Sequence, residues 1–177
     1  MKNLTKVLTL VMVLFIIASC SEDLLQNENS ITENEDLSLL KCTPPDDCQL
    51  ETAWANGIRY VPRGNWAMYT PTPGELPAWV YLIAGKNKIA GKVWFIPGDE
   101  PETIIIKIWP DDCWDLQDVS EAIKIQGYNT PPFGNPAPGR FTTYKGNGEN
   151  VSGRYYKIIV PIYDYYGIHV DVIGCCE

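Results

Sequence analysis

The sequence has a single histidine, His169, and lacks most of the patterns on which catalytic and metal sites depend. No serine lies in a GxSxG nucleophile motif, no glycine-rich segment matches a phosphate-binding loop or a dinucleotide fingerprint, and no CxxC pair has the spacing of a zinc site. Basic residues are also scarce, since 14 Lys and Arg stand against 22 Asp and Glu. This balance excludes an electrostatic footprint for nucleic acid. We therefore expect no nucleic-acid partner, no cofactor, no resident metal ion and no enzymatic activity.

Residues 1–19 have the layout of a secretory signal peptide. Lys2 and Lys6 form a short positive segment, residues 7–17 are apolar apart from one threonine, and two small residues follow. The apolar run is too short for a transmembrane helix, which needs about 20 residues. The pattern therefore predicts export from the cytoplasm.

The signal ends in Ile-Ala-Ser-Cys, residues 17–20, which resembles the lipobox of bacterial lipoproteins. The resemblance implies that Cys20 is lipidated with diacylglycerol and acyl chains such as palmitate, and that it becomes the first mature residue. Several acyl chains hold a protein firmly, since each buried CH₂ contributes about 0.8 kcal/mol. The alternative is an ordinary signal followed by a chance cysteine. Residues 21–23, Ser-Glu-Asp, resemble an acidic signal for surface export, so we expect an outer-membrane lipid anchor at the cell surface, with the periplasmic face as the alternative.

Residues 20–47 join the lipidated cysteine to the rest of the chain. Residues 21–47 contain eight acidic residues, one lysine and no aromatic residue. Such a segment buries too little apolar surface to offset the entropy of ordering it. We expect a flexible acidic tether that holds the following domain on the order of 30 Å from the membrane.

Five cysteines are left once Cys20 is lipidated, and an exported protein meets an oxidising compartment. We interpret them as a disulfide set in which the odd number leaves at least one cysteine unpaired or intermolecular. We expect the carboxyl-terminal pair to reach back to Cys48 and to Cys42 or Cys113, although spacing does not determine the connectivity. Metal binding is the alternative, but no histidine accompanies them at ligand spacing. The five are Cys42, Cys48, Cys113, Cys175 and Cys176.

Residues 48–177 contain all six Trp and all ten Tyr, in short runs of strand-forming residues separated by Pro and Gly. This pattern predicts an all-β domain, a single antiparallel β-sandwich that is Ig-like or jelly-roll-like. No segment has a convincing helical period, although residues 115–122 could form one turn. The predicted strands are 51–55, 65–69, 78–84, 89–96, 103–109, 121–126, 155–163 and 167–173.

Apolar alternation predicts which strands pair in the middle of the domain. A turn at 85–88 puts Val80 opposite Val93, with Ala78 opposite Phe95, Leu82 opposite Gly91 and Ala84 opposite Ile89, and residues 103–109 extend this meander. The outward rows are then Trp79, Trp94 and Ile105; Tyr81, Lys92 and Lys107; and Ile83, Ala90 and Trp109. A second hairpin is predicted between 155–163 and 167–173, with Ile158, Val160 and Ile162 inward and Lys157, His169 and Asp171 outward.

The outward aromatics are the strongest candidate for a binding site. Flat rings stack on sugars or on aromatic ligands, and two neighbouring lysines add charge and hydrogen-bond donors. The alternative is that this side of the sheet packs under a loop or joins the core. The candidate ligand-binding residues are Trp79, Tyr81, Trp94, Trp109, Lys92 and Lys107.

Three other features are weaker candidates. The proline-rich segment within 127–153 is a long loop of the kind that is often functional, or else a structural crossover. His169 and Asp171 form the only pair that could be nominated for a hydrolase, with a surface histidine as the alternative. An acidic segment could bind Ca²⁺ or form a solvated loop, and it lacks the spacing of an EF-hand. Its acids are Asp111, Asp112, Asp115, Asp118 and Glu121.

Several short segments resemble a group of small exported lipoproteins of Bacteroidota. These are Glu-Thr-Ala-Trp-Ala-Asn-Gly at 51–57, together with residues 81–85, 91–93, 126–128, 137–141 and 167–170. The likeness covers most of 48–177, but Gln49 and Leu50 separate Cys48 from the first motif, and Cys175-Cys176 doubles a single terminal cysteine. The resemblance implies an exported β-domain and no particular activity. We expect a membrane-anchored, non-catalytic binding module for glycan, or alternatively a structural or protein-interaction subunit of an envelope complex.

Overall fold

The computed structural model describes residues 48–175, which lie within one compact unit. The predictions for residues 1–47, including Cys20 and Cys42, and for Cys176 lie outside these described residues. The described part contains twelve strands and one short 3-10 turn, η1 (Pro138–Arg140). The strands are β1 (Gln49–Ala55), β2 (Ile58–Arg59), β3 (Met68–Pro71), β4 (Ala78–Ala84), β5 (Lys88–Pro97), β6 (Thr103–Pro110), β7 (Trp114–Leu116), β8 (Ile123–Tyr128), β9 (Tyr144–Gly146), β10 (Glu149–Val151), β11 (Tyr155–Pro161) and β12 (Tyr165–Gly174).

The strands form one antiparallel, open sheet in the order β10-β11-β6-β5-β4-β1-β12-β3-β2, with β7 and β8 also paired to β12 and β9 paired to β8. Strands from both halves of this sheet contribute to the same core. Phe95 and Ile106 come from one half, and Ile125, Tyr166 and Val170 come from the other, all fully buried. A sheet whose two halves cover one core resembles a sandwich, so the predicted all-β fold is confirmed.

The predicted β4–β5 hairpin is correct in register over most of its length. Val80 pairs with Val93, and Ala78 and Leu82 have their predicted partners. A register shift between Leu82 and Ile83 brings Ala84 opposite Lys88 instead of Ile89. A bulge adds one residue to one strand and turns the following side chains, so Ala90, predicted to point outward, is buried.

The β5–β6 pairing keeps the predicted faces but not the predicted rows. Trp94 lies opposite Lys107, and Lys92 lies opposite Trp109, two residues from the expected partners. The turn between the two strands is centred one residue later than predicted, and it is closed by the Gly98 amide, which donates to the Thr103 carbonyl at 3.1 Å. A shift of two residues leaves every side chain on its original face, so the six candidate binding residues stay on the outward side, although Ile105, also predicted to point outward, is only 6% exposed.

The predicted hairpin between the last two long strands is wrong. β11 pairs with β6, where Ile158 lies opposite Ile106, and β12 pairs with β1, where Val170 lies opposite Ala53. Both strands present an apolar face to the same core, but from different halves of the sheet. The predicted turn of helix at 115–122 is also absent, since β7 and a series of bends occupy this segment.

A disulfide between Cys48 and Cys175 joins the residue before β1 to the residue after β12, with Cα atoms 4.2 Å apart. This confirms the expected link from the carboxyl-terminal pair back to Cys48. Cys113 is disulfide-bonded as well, and its carbonyl accepts a hydrogen bond from the Cys175 amide at 2.8 Å. One end of the sheet is therefore closed covalently.

Candidate functional site

The outward side of β4, β5, β6 and β11 carries the residues that the sequence nominated for binding. Side chains alternate along each strand, so residues next to the buried Val93 and Ile106 point away from the core. Trp79, Tyr81 and Trp109 keep 39%, 40% and 39% of their surface exposed. We name this surface the aromatic face, and it consists of Trp79, Tyr81, Lys92, Trp94, Lys107, Trp109 and Tyr155.

The rings of the aromatic face form two groups. In the first, Trp79 meets Tyr81 edge to face with centroids 5.1 Å apart, and lies 6.2 Å from Trp94. In the second, Trp109 and Tyr155 are stacked with centroids 5.4 Å apart. These contacts are favourable geometries for aromatic pairs, and they restrict the rotamers of the rings. Less side-chain entropy is therefore lost when a ligand settles on them.

Each group of rings also holds one lysine. The Nζ atom of Lys92 lies 4.9 Å from the centroid of the Trp79 ring, and that of Lys107 lies 4.6 Å from the centroid of Tyr155. Over residues 48–175, the carboxylate ion pairs are made by other residues and include neither lysine. Both ammonium groups are thus placed over apolar rings with no carboxylate to balance them.

A shallow groove of about 270 Å³ lies between the two groups of rings. Trp94 and Trp109 form part of its walls, Lys107 supplies its charge, and Pro77 and Ile96 complete an otherwise apolar lining. Small-molecule sites have this composition, a mostly apolar lining with a few polar groups that fix orientation. The volume suits a single sugar ring.

A second cavity, of about 480 Å³, shares Trp109 with the groove but has a polar lining. Asp111, Asp112 and Arg154 contribute charged groups to it. Tyr156 donates a hydrogen bond to the Asp115 carboxylate. Burial, together with this bond, raises the pKa of Tyr156, so its phenol stays protonated and links β11 to β7.

The acidic residues considered for Ca²⁺ do not converge. Asp115 is engaged by Tyr156, and Glu121 lies 3.5 Å from the Nζ atom of Lys145. In the part of the chain that the structure describes, no group of three His, Cys, Asp or Glu side chains is arranged to hold a metal ion.

His169 is buried, which corrects the prediction of a surface histidine. Only 8% of it is exposed, and its ring meets Trp54 edge to face with centroids 5.0 Å apart. The outward side of β12 is covered here by residues distant in sequence. This covering forms a second hydrophobic cluster, which consists of Trp54, Tyr60, Ala67, Tyr69 and Phe141.

The structure brings the predicted pair of His169 and Asp171 together within this covered region. Nε2 of His169 lies 3.8 Å from Asp171 Oδ1, while Asp171 Oδ2 accepts from Lys124 at 2.6 Å. Nδ1 of His169 is buried without a hydrogen-bond partner. Burial is the main cause that lowers the pKa of His169 to about 4, with Asp171 opposing the shift and Lys124 adding to it. The imidazole is therefore neutral at pH 7.

The proline-rich part of 127–153 contains one buried and one exposed phenylalanine. Phe141 follows η1 and is buried in the second hydrophobic cluster, which fits the interpretation as a structural crossover. Phe133 is 94% exposed, which fits the interpretation as an interaction loop. The segment therefore combines a packed anchor with an exposed aromatic tip.

Sequence reasoning missed part of the aromatic face. Tyr155 stacks on Trp109 and carries Lys107 above its ring. Alternation already places Tyr155 on the outward side of its strand, but its position beside Trp109 depends on the β11–β6 pairing. Pro77 and Ile96 were missed because the shape of a groove is not visible in a strand pattern.

Comparison with known proteins gives no family assignment. Within residues 48–175, no helix is long and apolar enough to cross a membrane. No protein-family model, no curated protein sequence and no solved structure matches the chain.

Proposed function

We propose that the chain is a membrane-anchored extracytoplasmic lipoprotein whose β-domain is a non-catalytic module that binds glycan on the aromatic face. The observation that carries this proposal is the exposure of Trp79, Tyr81 and Trp109, each about two-fifths exposed on β4 and β6, the two strands that flank β5. Contiguous exposed apolar surface on a folded domain marks a site of interaction.

The chemistry of the aromatic face favours a sugar over a purely apolar ligand. A sugar ring has an apolar C–H face that stacks on an indole, and hydroxyl groups around its edge that need polar partners. Trp94 and Trp109 supply the apolar walls of the groove, and Lys107 supplies a donor at its edge. The separate ring groups suit successive sugars along a chain.

The proposed location depends on residues outside the described part of the chain. Cys20 would attach the protein to the outer membrane, and the acidic tether of 20–47 would present the aromatic face to the cell exterior. Feeding cells an alkyne-labelled palmitate should label the wild-type protein, and Cys20→Ala should abolish the label. Label that persists in Cys20→Ala would contradict the anchor.

Binding is tested on the full-length chain in neutral detergent, by native gel electrophoresis through a broad panel of polysaccharides. We expect at least one polysaccharide to retard the wild type. Trp79→Ala should weaken this binding about tenfold, or about 1.4 kcal/mol, because it removes a stacking surface. Trp94→Ala should abolish retardation, because it removes a wall of the groove, and circular dichroism checks that the variant is folded.

Phe133→Ala is the matched control for these variants, since it also removes one aromatic ring but from an exposed loop. It should leave retardation unchanged. A panel that retards nothing would refute glycan binding, and so would an equal loss in Phe133→Ala and Trp79→Ala.

The second candidate is a protein-interaction subunit of an envelope complex, and the exposure of Phe133 favours it. An aromatic ring that is 94% exposed at the tip of a proline-stiffened loop is a common anchor at protein interfaces. A photocrosslinking residue at 133, compared in whole cells with one at 79, separates the two functions. This candidate predicts one stoichiometric protein adduct from position 133, and its absence would exclude the loop as an interface.

A further inference from the structure

The aromatic face is positively charged, whereas the whole chain has a formal net charge of −8. Lys92 and Lys107 lie on this side of the sheet, and Lys157 joins them from β11. This side of the four strands therefore carries three lysines, whereas acidic residues outnumber basic ones in the chain as a whole.

The register makes this concentration of charge unfavourable for folding. Lys107 and Lys157 lie directly opposite each other on β6 and β11, and like charges in directly opposed positions destabilise a sheet. Glu149 is opposite Lys157 on the other side, yet none of these three residues belongs to an ion pair found in residues 48–175. Lys107 is compensated by the Tyr155 ring, 4.6 Å away, and not by a carboxylate, and features that oppose stability are expected at functional positions.

We propose that the aromatic face binds an anionic glycan, a polysaccharide bearing carboxylate or sulfate groups; this inference rests on the proposed glycan-binding function. The sugar rings stack on Trp94 and Trp109, and the acidic groups meet the ammonium groups of Lys92 and Lys107. A bound anion would relieve the repulsion between Lys107 and Lys157.

The acidic cavity beyond Trp109 limits where the negative groups of the ligand lie. Asp111 and Asp112 are exposed there, so they repel anionic sugars from that side. Arg154 is the only cation among its lining residues. The charged part of the ligand is therefore confined to the lysine side of Trp109, which gives the glycan a direction on the sheet.

The test uses the full-length chain in neutral detergent and four probes in native gels. Polygalacturonate carries carboxylates, chondroitin sulfate adds sulfates, methyl-esterified polygalacturonate is the neutral match, and poly(dT) is an anion that also stacks. We expect retardation by at least one of the two acidic polysaccharides, and little or none by the esterified polymer. Binding should weaken at 0.5 M salt, since screening shortens the range of charge interactions.

The double variant that combines Lys92→Gln and Lys107→Gln should bind the acidic probe about tenfold more weakly than the wild type. Arg63→Gln is the control, because it removes one charge from an exposed position outside the aromatic face. Lys157→Gln is a second variant that should also weaken binding, so the test does not depend on the folding of the double variant alone.

Several outcomes overturn the inference. Equal retardation by the esterified and acidic polymers, or binding unaffected by both lysine variants, would overturn it while leaving glycan binding in place. Stronger retardation by poly(dT) than by either acidic polysaccharide would assign the aromatic face to single-stranded nucleic acid instead. Retardation by none of the probes, nor by the broad polysaccharide panel, would remove both proposals.

Discussion

His169 links the stability of the domain to pH through one buried side chain. Its pKa is about 4 in the folded chain and about 6.5 in an unfolded one. Between these values the unfolded chain binds one more proton, so stability falls as the pH drops from about 6.5 to about 4. Below about pH 4 both states are protonated, and this contribution is fully lost. The shift corresponds to about 3 kcal/mol.

His169→Phe should remove this dependence, because Phe keeps an aromatic ring beside Trp54 and has no buried nitrogen without a partner. Urea denaturation of wild type and variant at pH 7.5, 5.5 and 4 measures it. The difference between the two proteins isolates His169 from carboxylates that titrate in the same range. A difference that is constant across the three pH values would show that folding does not lower the pKa of His169.

The burial of His169 also shows how far a strand pattern can predict a residue. Alternation correctly puts the side chain on the side of β12 that faces away from the main core. That side is covered by Tyr60, Tyr69 and Phe141, which come from distant parts of the chain. Such a cover is tertiary packing, and it leaves no signal in the sequence around His169.

At the level of strands, Gly91 fixes how closely β5 and β6 approach. It has φ of 148°, and a Cβ atom there would lie 2.2 Å from the carbonyl oxygen of Trp109. Gly91→Ala should therefore lower the free energy of unfolding by about 1–3 kcal/mol through overpacking. It should also weaken the proposed glycan binding, because the backbone of Trp109 must move.

Gly74→Ala is the control for this prediction, since nothing lies within 4 Å of the added Cβ atom. We expect its stability to stay within about 0.5 kcal/mol of the wild type. Denaturant titration of the two variants provides the measurement. Equal stability for Gly91→Ala and Gly74→Ala would mean that β5 and β6 separate easily at this point.

The strands that were predicted correctly are the long ones with a strict alternation, and β4 is the clearest example. β7, β9 and β10 have three residues each, too few to show a period. The β11–β12 error has another cause, because alternation identifies the buried side of a strand without identifying its neighbour. The candidate site could be predicted because strand alternation gives the side of the sheet that each residue faces. Tyr155 was missed because its position beside Trp109 depends on which strands pair.

Across the whole molecule, the Cys48–Cys175 disulfide closes a loop with a sequence separation of 127 residues. A crosslink over so long a loop strongly restricts the unfolded chain. Replacing both cysteines by serine should therefore lower the free energy of unfolding by about 2–5 kcal/mol. Guanidinium titration under non-reducing conditions measures this effect. An unchanged midpoint would mean that the sheet alone holds these ends together.

The position of this disulfide also determines how the domain bears mechanical load. β1 and β12 are antiparallel, and the Cys48–Cys175 disulfide lies just outside their first pair, Gln49 with Gly174. A force applied through the chain before Cys48 is therefore borne by the disulfide before it reaches the hydrogen bonds of the two strands. Without it, the same pull would open the β1–β12 ladder one pair at a time from its end. If the proposed glycan binding holds, a domain pulled from this side by a polymer on its aromatic face would transmit tension to the chain before Cys48 without the opening of this ladder.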